Sequence, residues 1–493
     1  MTVKRCFALA LCLAFCLISM QVYAMAPLQI LAGQGIGGSD NGQLLAATFR
    51  APYGLAIDAA GDLLIADANN NLLRRVSDQT STLAGKLGPL DAFGYPQGSL
   101  VDGAATESYF NRPRGLAIDA QGNIYVADSQ NHAIRKLSQG KVRTLAGNGQ
   151  AGYQNGQGAS VRFNTPSGLA VGADGSLYVA DTLNHVIRRI SPTGIVSTYA
   201  GIAASDGGYL DGDAATARFN EPAALAFTPA GELLVADAGN QLIRKISAGQ
   251  VSTFAGQFNP YPTDSYYSPG ALVDGSLGEA RFNFPKGLAV ADNGVVFVAD
   301  TWNHALRAIT LDGQVITVVD ATVTTGVAIR LDGPVGLAYS SGNLYMADQW
   351  ANAVWQLAVD VNNLQPMGTP DADDEQAQQP VPISFDPDTS NIQVWLNGQR
   401  VAFPDQQPTL ADGRTRVPLR FVCQQWGAKV DWDAEQNRVI VTKGESRTTI
   451  PADGVALVNQ DGRTLVGLRY LAESLGFRVE WVAAHRAVVL MTP

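Results

Sequence analysis

Apolar and polar positions alternate in short runs along most of the chain, and the runs return about every fifty residues. Residues 111–147 read NRPRGLAIDAQGNIYVADSQNHAIRKLSQGKVRTLAG, and residues 164–201 repeat this pattern closely. The apolar runs, such as GLAID and IYVAD, are four to six residues long and are separated by turn residues such as AQGN. Because no segment of this region has a helical period, the pattern predicts an all-β structure.

The repeated block has the form P-x-G-L-A, then Y-V-A-D, then N-H-x-I-R, and it occurs six times. Each copy predicts four short strands. A unit of this length with four strands is typical of one blade of a β-propeller, so the sequence predicts six blades. An Ala-Asp pair marks every copy, and its acidic residues are Asp67, Asp128, Asp181, Asp237, Asp300 and Asp348.

The two ends of the repeat region complement each other. The sixth copy ends at NAVWQLAVD without its last strand, whereas the matching segment, LQILAG, stands at residues 28–33, before the first copy. We therefore expect the N-terminal strand to pair with the sixth blade and close the ring. Closure would remove an unpaired sheet edge.

The turn after each Ala-Asp pair carries a further signature. In three copies an Asn-His pair precedes an apolar residue, and in two of these copies an Ile-Arg pair comes next. The three pairs are Asn131-His132, Asn184-His185 and Asn303-His304. This signature resembles the NHL repeat, and the resemblance extends over residues 28–360. It implies a six-bladed propeller for residues 25–360. Similar propellers serve both binding and catalysis, so the resemblance alone assigns no function.

The C-terminal part of the chain contains a second, different repeat. Residues 361–382 are rich in Pro, Gln and acidic residues and predict a flexible linker. Within residues 383–493, DGRTRVPLRFVCQQWGAKVDW (412–432) matches DGRTLVGLRYLAESLGFRVEW (461–481). Each copy predicts a strand, a short helix that ends at a glycine, and another strand. The sequence therefore predicts a small α+β domain of two repeats after the mainly β propeller.

This second repeat resembles the copper amine oxidase N-terminal, or stalk, domain. The positions that carry the resemblance are Gly413, Arg414, Pro418, Leu419, Arg420, Gly427, Gly462, Arg463, Leu468, Arg469 and Gly476. The domain has one histidine, His485, and no cluster of Cys and His, so the residues do not predict a copper site. We expect an accessory module that faces the cell wall or a partner protein.

The first 24 residues have the features of a signal peptide. Lys4 and Arg5 precede the apolar run CFALALCLAFCLISM, and a small residue, Ala24, follows. The alternative interpretation is a membrane-spanning helix, but the apolar run is shorter than the ~20 residues that such a helix needs. We therefore expect a bacterial protein that is secreted or placed in the cell envelope. Cleavage would leave only Cys423 of the four cysteines, and hence no internal disulfide.

The charge of the chain restricts its partners. The formal net charge is −10, and the predicted cleavage removes two more cations. An acidic protein is poorly suited to nucleic acid or to an anionic membrane surface. We therefore expect a protein, a peptide or a cell-wall glycan as the partner, and no membrane span after cleavage.

One repeat position contains three histidines and raises the question of a metal site. The six blades have Asn71, His132, His185, Gln241, His304 and Asn352 at this position. A zinc site prefers imidazole, thiolate or carboxylate, and three of these residues are amides. We expect structural hydrogen bonds to the Ala-Asp carboxylates, and neither a cofactor nor a catalytic residue. Backbone carbonyls can bind Ca²⁺ without a sequence motif, so the sequence does not decide whether the propeller channel holds a calcium ion. The alternative function is a metal-dependent lyase or hydrolase with its site in the propeller channel.

Positions where the six copies differ are the best candidates for ligand recognition. In a propeller, the loop before the first strand and the loop between the second and third strands lie on one face. Aromatic and cationic residues at these places, or in the long loop 257–280, suggest a binding surface. They are Tyr53, Arg114, Tyr261, Tyr266, Tyr267, Lys286, Trp302 and Trp350. The alternative is that the aromatic rings pack against each other and order the long loops.

Overall fold

The computed structural model describes residues 28–364, without residues 93, 264 and 321–330, and a set of strands between residues 393 and 491. Residues 28–364 form six antiparallel sheets. The innermost strand of each sheet contacts those of its two neighbours, and the sixth contacts the first, so the sheets form a closed ring. The predicted six-bladed propeller is confirmed. The predicted signal peptide and residues 365–382 of the predicted linker lie outside the described residues.

The propeller strands are β1 (Gln29–Ala32), β2 (Gly42–Gln43), β3 (Pro52–Ile57), β4 (Leu63–Asp67), β5 (Leu72–Val76), β6 (Gln79–Ala84), β7 (Gly103–Ala104), β8 (Pro113–Ile118), β9 (Ile124–Asp128), β10 (Ala133–Ser138), β11 (Lys141–Ala146), β12 (Gly156–Gln157), β13 (Pro166–Val171), β14 (Leu177–Asp181), β15 (Val186–Ile190), β16 (Ile195–Ala200), β17 (Gly212–Asp213), β18 (Pro222–Phe227), β19 (Leu233–Asp237), β20 (Leu242–Ser247), β21 (Gln250–Ala255), β22 (Gly275–Ser276), β23 (Pro285–Val290), β24 (Val296–Asp300), β25 (Ala305–Ile309), β26 (Gln314–Val319), β27 (Pro334–Ser340), β28 (Asn343–Asp348) and β29 (Ala353–Ala358). Short 3₁₀ turns occupy Ala68–Asn70, Ala105–Glu107, Ser129–Asn131, Thr182–Asn184, Ala238–Asn240 and Thr301–Asn303.

Five blades have one strand more than the four predicted. In blade 2 the order from outside to inside is β7-β11-β10-β9-β8, and the other four have the same arrangement. The additional strand has two residues and pairs with the outer strand, as Gly103 does with Val142. It partly covers an edge that would otherwise be exposed. A two-residue strand has no alternation of apolar and polar positions, so the sequence pattern did not predict it.

The predicted closure of the ring is confirmed. Strand β1 pairs antiparallel with β29, with Gln29 opposite Gln356 and Ile30 opposite Trp355. Blade 6 therefore takes its outermost strand from the N-terminal end of the described chain. Leu28 is buried in the apolar core between blades 5 and 6.

Apolar side chains fill the spaces between adjacent blades. Between blades 1 and 2, for example, Leu64 and Leu73 pack with Leu116, Val126 and Phe110. An equivalent cluster joins every pair of neighbours, including blades 6 and 1. Val361 and Leu364 also pack against the core of blades 5 and 6, so the described chain stays on the propeller up to residue 364.

The glycine of the P-x-G segment allows neighbouring inner strands to approach closely. A Cβ atom on Gly54 would lie 2.0 Å from the carbonyl oxygen of Arg114, and one on Gly336 would lie 1.9 Å from that of Tyr53. Such contacts are impossible for a side chain. Blade 4 is the exception, with Ala224 in place of the glycine on the side that faces blade 5. The glycines therefore determine how tightly the inner ring packs.

The described part of the C-terminal domain consists of three small sheets. The strand Arg414–Pro418 of the first repeat pairs antiparallel with the strand Arg463–Gly467 of the second, with Arg416 opposite Gly467. Both predicted strands of each repeat are present, whereas the predicted helices lie outside the described residues. The strands are β30 (Gln393–Leu396), β31 (Gln399–Arg400), β32 (Thr409–Ala411), β33 (Arg414–Pro418), β34 (Lys429–Asp433), β35 (Arg438–Lys443), β36 (Ser446–Pro451), β37 (Leu457–Gln460), β38 (Arg463–Gly467), β39 (Arg478–Val482) and β40 (Ala487–Met491). In the described parts of the chain, no helix has the length and apolar character needed to cross a membrane.

The pairing of β1 with β29 leads to a test by truncation. We expect a chain that starts at residue 36 to aggregate or to melt far below the full chain, because it exposes the edge of β29 and loses Leu28 from the core. Differential scanning calorimetry measures the change. A chain that starts at residue 26 is the matched control and should melt like the full chain. Equal melting temperatures for both shortened chains would contradict the closure.

Candidate functional site

Each of the first five blades contains one buried Asp–Arg pair beside the turn between its second and third strands. In blade 2, Asp128 accepts hydrogen bonds from the Arg135 guanidinium at 2.7 Å, from the Asn131 amide at 2.8 Å and from the Asn111 backbone N–H at 2.7 Å. Asp128 and Arg135 are both fully buried. The equivalent pairs are Asp67–Arg74, Asp181–Arg188, Asp237–Arg244 and Asp300–Arg307.

The pair joins segments that are far apart in sequence. The Arg135 guanidinium also donates to the carbonyl oxygens of Tyr109 and Val101 and lies 5.2 Å from the centre of the Phe110 ring. Burial raises the pKa of Asp128 to about 6, although Arg135 and the hydrogen-bond donors act in the opposite direction. Because the group recurs in five blades, it forms the frame of the turn face, by which we mean the face that carries these turns.

The prediction for the His and amide position was right about structural hydrogen bonding but wrong about the partner. His132 Nδ1 accepts the backbone N–H of Thr165 at 3.1 Å, and Asn71 Oδ1 accepts that of Arg112 at 2.7 Å. These donors belong to the next blade. The residue before the position, such as Asn131, binds the Asp carboxylate instead. All six residues of the position have left-handed backbones, with φ between 48° and 61°, and each bonds to a backbone group of the following blade.

The three histidines therefore lie at three different blade interfaces. His132 joins blades 2 and 3, His185 joins blades 3 and 4, and His304 joins blades 5 and 6 through the carbonyl oxygen of Asp332. In each ring Nδ1 makes the inter-blade contact. Within the described ranges, no group of three or more His, Cys, Asp or Glu residues is placed to hold a metal ion.

Blade 6 departs from the frame of the other five. Trp355 and Ala351 stand where the other blades have the paired Arg and Asn. The carboxylate of Asp348 instead accepts four backbone N–H groups at 2.7–3.2 Å, from residues 332, 333, 350 and 351. Burial raises the pKa of Asp348. The backbone N–H of Trp302 donates to the carbonyl oxygen of Asn283, whereas the backbone N–H of Trp350 donates to the carboxylate of Asp348. The two Trp residues therefore differ in local conformation.

Phe284 is the centre of an aromatic cluster on blade 5 that the sequence analysis missed. Its ring stacks on Trp302 with centroids 4.0 Å apart and contacts Tyr267 edge-on at 4.8 Å. Lys286 Nζ lies 5.6 Å from the Phe284 ring centre and 5.9 Å from that of Trp302. Phe284 is buried, whereas Trp302 and Lys286 are half-buried. The backbone of Phe284 is left-handed, at φ 49°, and Gln241 Oε1 accepts its N–H.

The three tyrosines of the long loop have different surroundings. Tyr267 is buried, and its hydroxyl donates to Glu221 at 2.7 Å. The Tyr261 hydroxyl donates to Asn240, its ring packs edge-on against Phe258, and burial raises its pKa. Tyr266 is 45% exposed. Tyr261 and Tyr267 thus help to order the loop, and Tyr266 is the most exposed of the three.

The remaining candidates lie in two further places. The Arg114 guanidinium lies 5.2 Å from the centre of the Tyr53 ring, so blades 1 and 2 bring this predicted cation and aromatic ring together. Trp350 packs over Gly333, where an added Cβ would lie 2.5 Å from the indole, and its centroid is 5.8 Å from that of His304. The structure brings Tyr267, Lys286 and Trp302 together around Phe284. Tyr53 and Arg114 form a separate pair.

Three of the six blades match a known repeat family. The NHL repeat family matches residues 110–137, 163–190 and 282–309, which fall in blades 2, 3 and 5. Residues 395–455 match the copper amine oxidase N-terminal domain. Both predicted resemblances are confirmed.

Curated relatives share the repeats over part of their length. The chain is 30% identical over 283 residues to Protein SUPPRESSOR OF QUENCHING 1, chloroplastic, of Arabidopsis thaliana, covering 44% of this chain and 27% of that protein. It is 34% identical over 180 residues to NHL repeat-containing protein 2 of Bos taurus, covering 34% and 24%. For Teneurin-4 of Mus musculus the identity is 30% over 228 residues, covering 42% and 8%. The chain thus spans less than a third of each relative.

Some solved structures are similar to this chain at low sequence identity. An auxiliary nutrient binding protein from Bacteroides ovatus has 14% identity and a TM-score of 0.48, covering 67% of this chain and 76% of that one. Virginiamycin B lyase from Staphylococcus aureus has 12% identity and a TM-score of 0.42, covering 68% and 99%. At these values the likeness carries no argument about function.

The buried histidine of blade 3 predicts a pH effect on stability. Burial lowers the pKa of His185 from 6.5 to about 4; the backbone of Ser205 and the charge of Asp206 act in the opposite direction, and Arg218 lowers the pKa slightly further. Between these values the unfolded chain binds a proton that the native imidazole does not, so stability falls as the pH falls. We expect this residue to cost about 2 kcal/mol of the free energy of unfolding between pH 7 and pH 5.

Urea unfolding of the full chain and of His185→Asn at both pH values measures this difference. Asn fills the same position in blades 1 and 6 and makes the same inter-blade bond, as Asn71 shows. The variant should therefore fold and lose less stability at pH 5. The same loss in both proteins would contradict a neutral, buried His185.

Proposed function

We propose that this protein is an exported, non-enzymatic binding protein whose turn face recognises a peptide, protein or glycan at the cell envelope. The observation that carries the proposal is the half-buried Trp302, stacked on Phe284 with Lys286 beside both rings. The first 24 residues support export, and the C-terminal match to a domain with no copper-ligand cluster supports an accessory role.

Departures from the symmetry of the six blades support recognition at this surface. Side chains that recur in all blades build the ring, whereas an asymmetric ligand can be recognised only through positions that differ. At the position of Trp302 the first four blades have Asn69, Gln130, Leu183 and Gly239. At the position of Lys286, blades 3, 4 and 6 have the small buried residues Ser167, Ala223 and Val335. Blade 5 alone combines an indole with an ammonium group at these two positions.

The chemistry of this surface suits a ligand with a flat or ring-shaped group. A half-buried indole can stack on a sugar ring, an aromatic side chain or a proline. Trp302 Nε1 is buried and has no acceptor among the described residues, which leaves an unused donor within the cluster. The exposed Tyr266 adds a second amphipathic ring from the loop. Aromatic residues of this kind often dominate binding energy at interfaces.

The proposal is tested on the full chain with arrays of peptides and of cell-wall glycans, followed by titration of the best ligand. We expect Trp302→Leu to weaken binding about tenfold, because a stacked indole at a desolvated position contributes roughly 1.4 kcal/mol or more. Leu183 occupies the equivalent position in blade 3, so leucine is compatible with the turn.

Leu183→Ala is the matched control and should leave the affinity almost unchanged. Melting temperatures of both variants separate binding from folding. If Trp302→Leu lowers the melting temperature strongly and leaves affinity intact, the cluster only orders the loop, and the ligand face lies elsewhere.

A further inference from the structure

Blade 4 contains a stack of aromatic rings on a buried arginine. The buried Arg244 guanidinium lies 5.2 Å from the Phe219 ring centre and 4.9 Å from that of Tyr209. Phe258, from the outgoing loop of the same blade, stacks on Tyr209 at 4.1 Å with the ring planes 15° apart. Arg244 and Phe258 cannot occupy the same face of Tyr209, so its ring is held between them.

Blade 3 repeats this arrangement without the covering ring. Arg188 lies 5.1 Å from the Phe163 ring centre and 4.8 Å from that of Tyr153. The Tyr153 hydroxyl shares a hydrogen bond with Thr198, just as the Tyr209 hydroxyl does with Thr253. These contacts fix the Tyr153 ring in the same orientation as its counterpart. Tyr153 is nevertheless 44% exposed.

The difference between the two blades has a local cause in the sequence. After the last strand of blade 4, Gln257 N–H donates to the carbonyl oxygen of Ala280, and after the last strand of blade 3, Ile202 N–H donates to that of Ala217. The two loops therefore leave their blades in the same register. The next residue is Phe258 in blade 4 but Ala203 in blade 3. A methyl group cannot cover a phenol ring, so Tyr153 stays open, with the 47% exposed Ile202 next to Ala203 in the loop.

We propose that Tyr153 is a separate binding position, which receives an aromatic side chain of a partner polypeptide. The chain itself supplies the chemistry of the occupant, because Phe258 fills the equivalent position in blade 4 within the segment GQFNPYP. A rigid ring backed by a buried cation offers a flat apolar surface at low entropic cost. The partner is thus a peptide segment with an exposed phenylalanine or tyrosine, of the kind found in FNPY. This position lies on blade 3 and is independent of the Trp302 surface of blade 5.

The first test adds the capped peptide of residues 256–262, GQFNPYP, to the full chain and follows binding by calorimetry or by NMR line shifts. We expect weak, saturable binding that is lost when alanine replaces the phenylalanine of the peptide. We expect Tyr153→Leu to reduce the affinity at least fivefold. Leu272 occupies this position in blade 5, so leucine is compatible with the fold.

A second variant supplies the occupant from within the chain. Ala203→Phe places a ring where blade 4 has Phe258, and we expect it to block the peptide and to raise the melting temperature. Loss of peptide binding together with a higher melting temperature in Ala203→Phe would support the proposal, even if Tyr153→Leu folded poorly.

Three kinds of result would overturn the proposal. The first is no saturation by the peptide, or equal affinity for the full chain and Tyr153→Leu. The second is a chitin or peptidoglycan oligosaccharide that binds at Tyr153 when the peptide does not. The third is self-association of the chain that Tyr153→Leu abolishes, which would make a second copy the occupant. Since the probe is a defined peptide, none of these outcomes depends on the ligand of blade 5.

Discussion

The propeller depends on one buried carboxylate in each blade. Asp128 and its five counterparts are all fully buried, and an ion in such a place is tolerated only when donors surround it. The donors come from the incoming segment and the adjacent turn and, in five blades, from an arginine of the third strand, as Asn111, Asn131 and Arg135 show. Satisfying the carboxylate therefore fixes all these parts at once. The inter-blade bonds of residues such as His132 then join neighbouring turns into one face.

This frame leaves the positions between its members free to vary. Trp302 and Leu183 occupy the same place in two 3₁₀ turns of the same shape, so exchanging one for the other changes the surface and not the frame. The same reasoning applies to the rim, where Tyr153 and Tyr209 rest on equivalent arginines but differ in what covers them. Blade 6 shows how far the frame can change. Its carboxylate, Asp348, accepts backbone N–H groups in place of the arginine that the other blades use.

The sequence predicted those features that depend on repetition. The recurring Ala-Asp pairs gave six blades, and LQILAG before the first copy gave the closure through β1. It did not predict features that depend on backbone angles. Phe284 precedes a proline, a place where an extended backbone is expected, yet its φ is 49° and its ring is directed to Trp302. The predicted hydrogen-bond partner of His132 was wrong for the same reason. A left-handed backbone directs this side chain to the next blade. How deeply Tyr261 and Tyr267 are buried also depends on long-range packing that no local pattern encodes.

The most direct test is a double-mutant cycle on the buried pair of blade 3, with Asp181→Asn, Arg188→Met and both changes together, measured as free energy of unfolding in urea. Each single change leaves a buried polar group without its partner and should cost about 3 kcal/mol or more. The double change should cost less than the sum of the two by about 2 kcal/mol, because the two groups depend on each other. Additive effects, or single changes that cost less than about 1 kcal/mol, would contradict the claim that the buried pairs hold the turn face together.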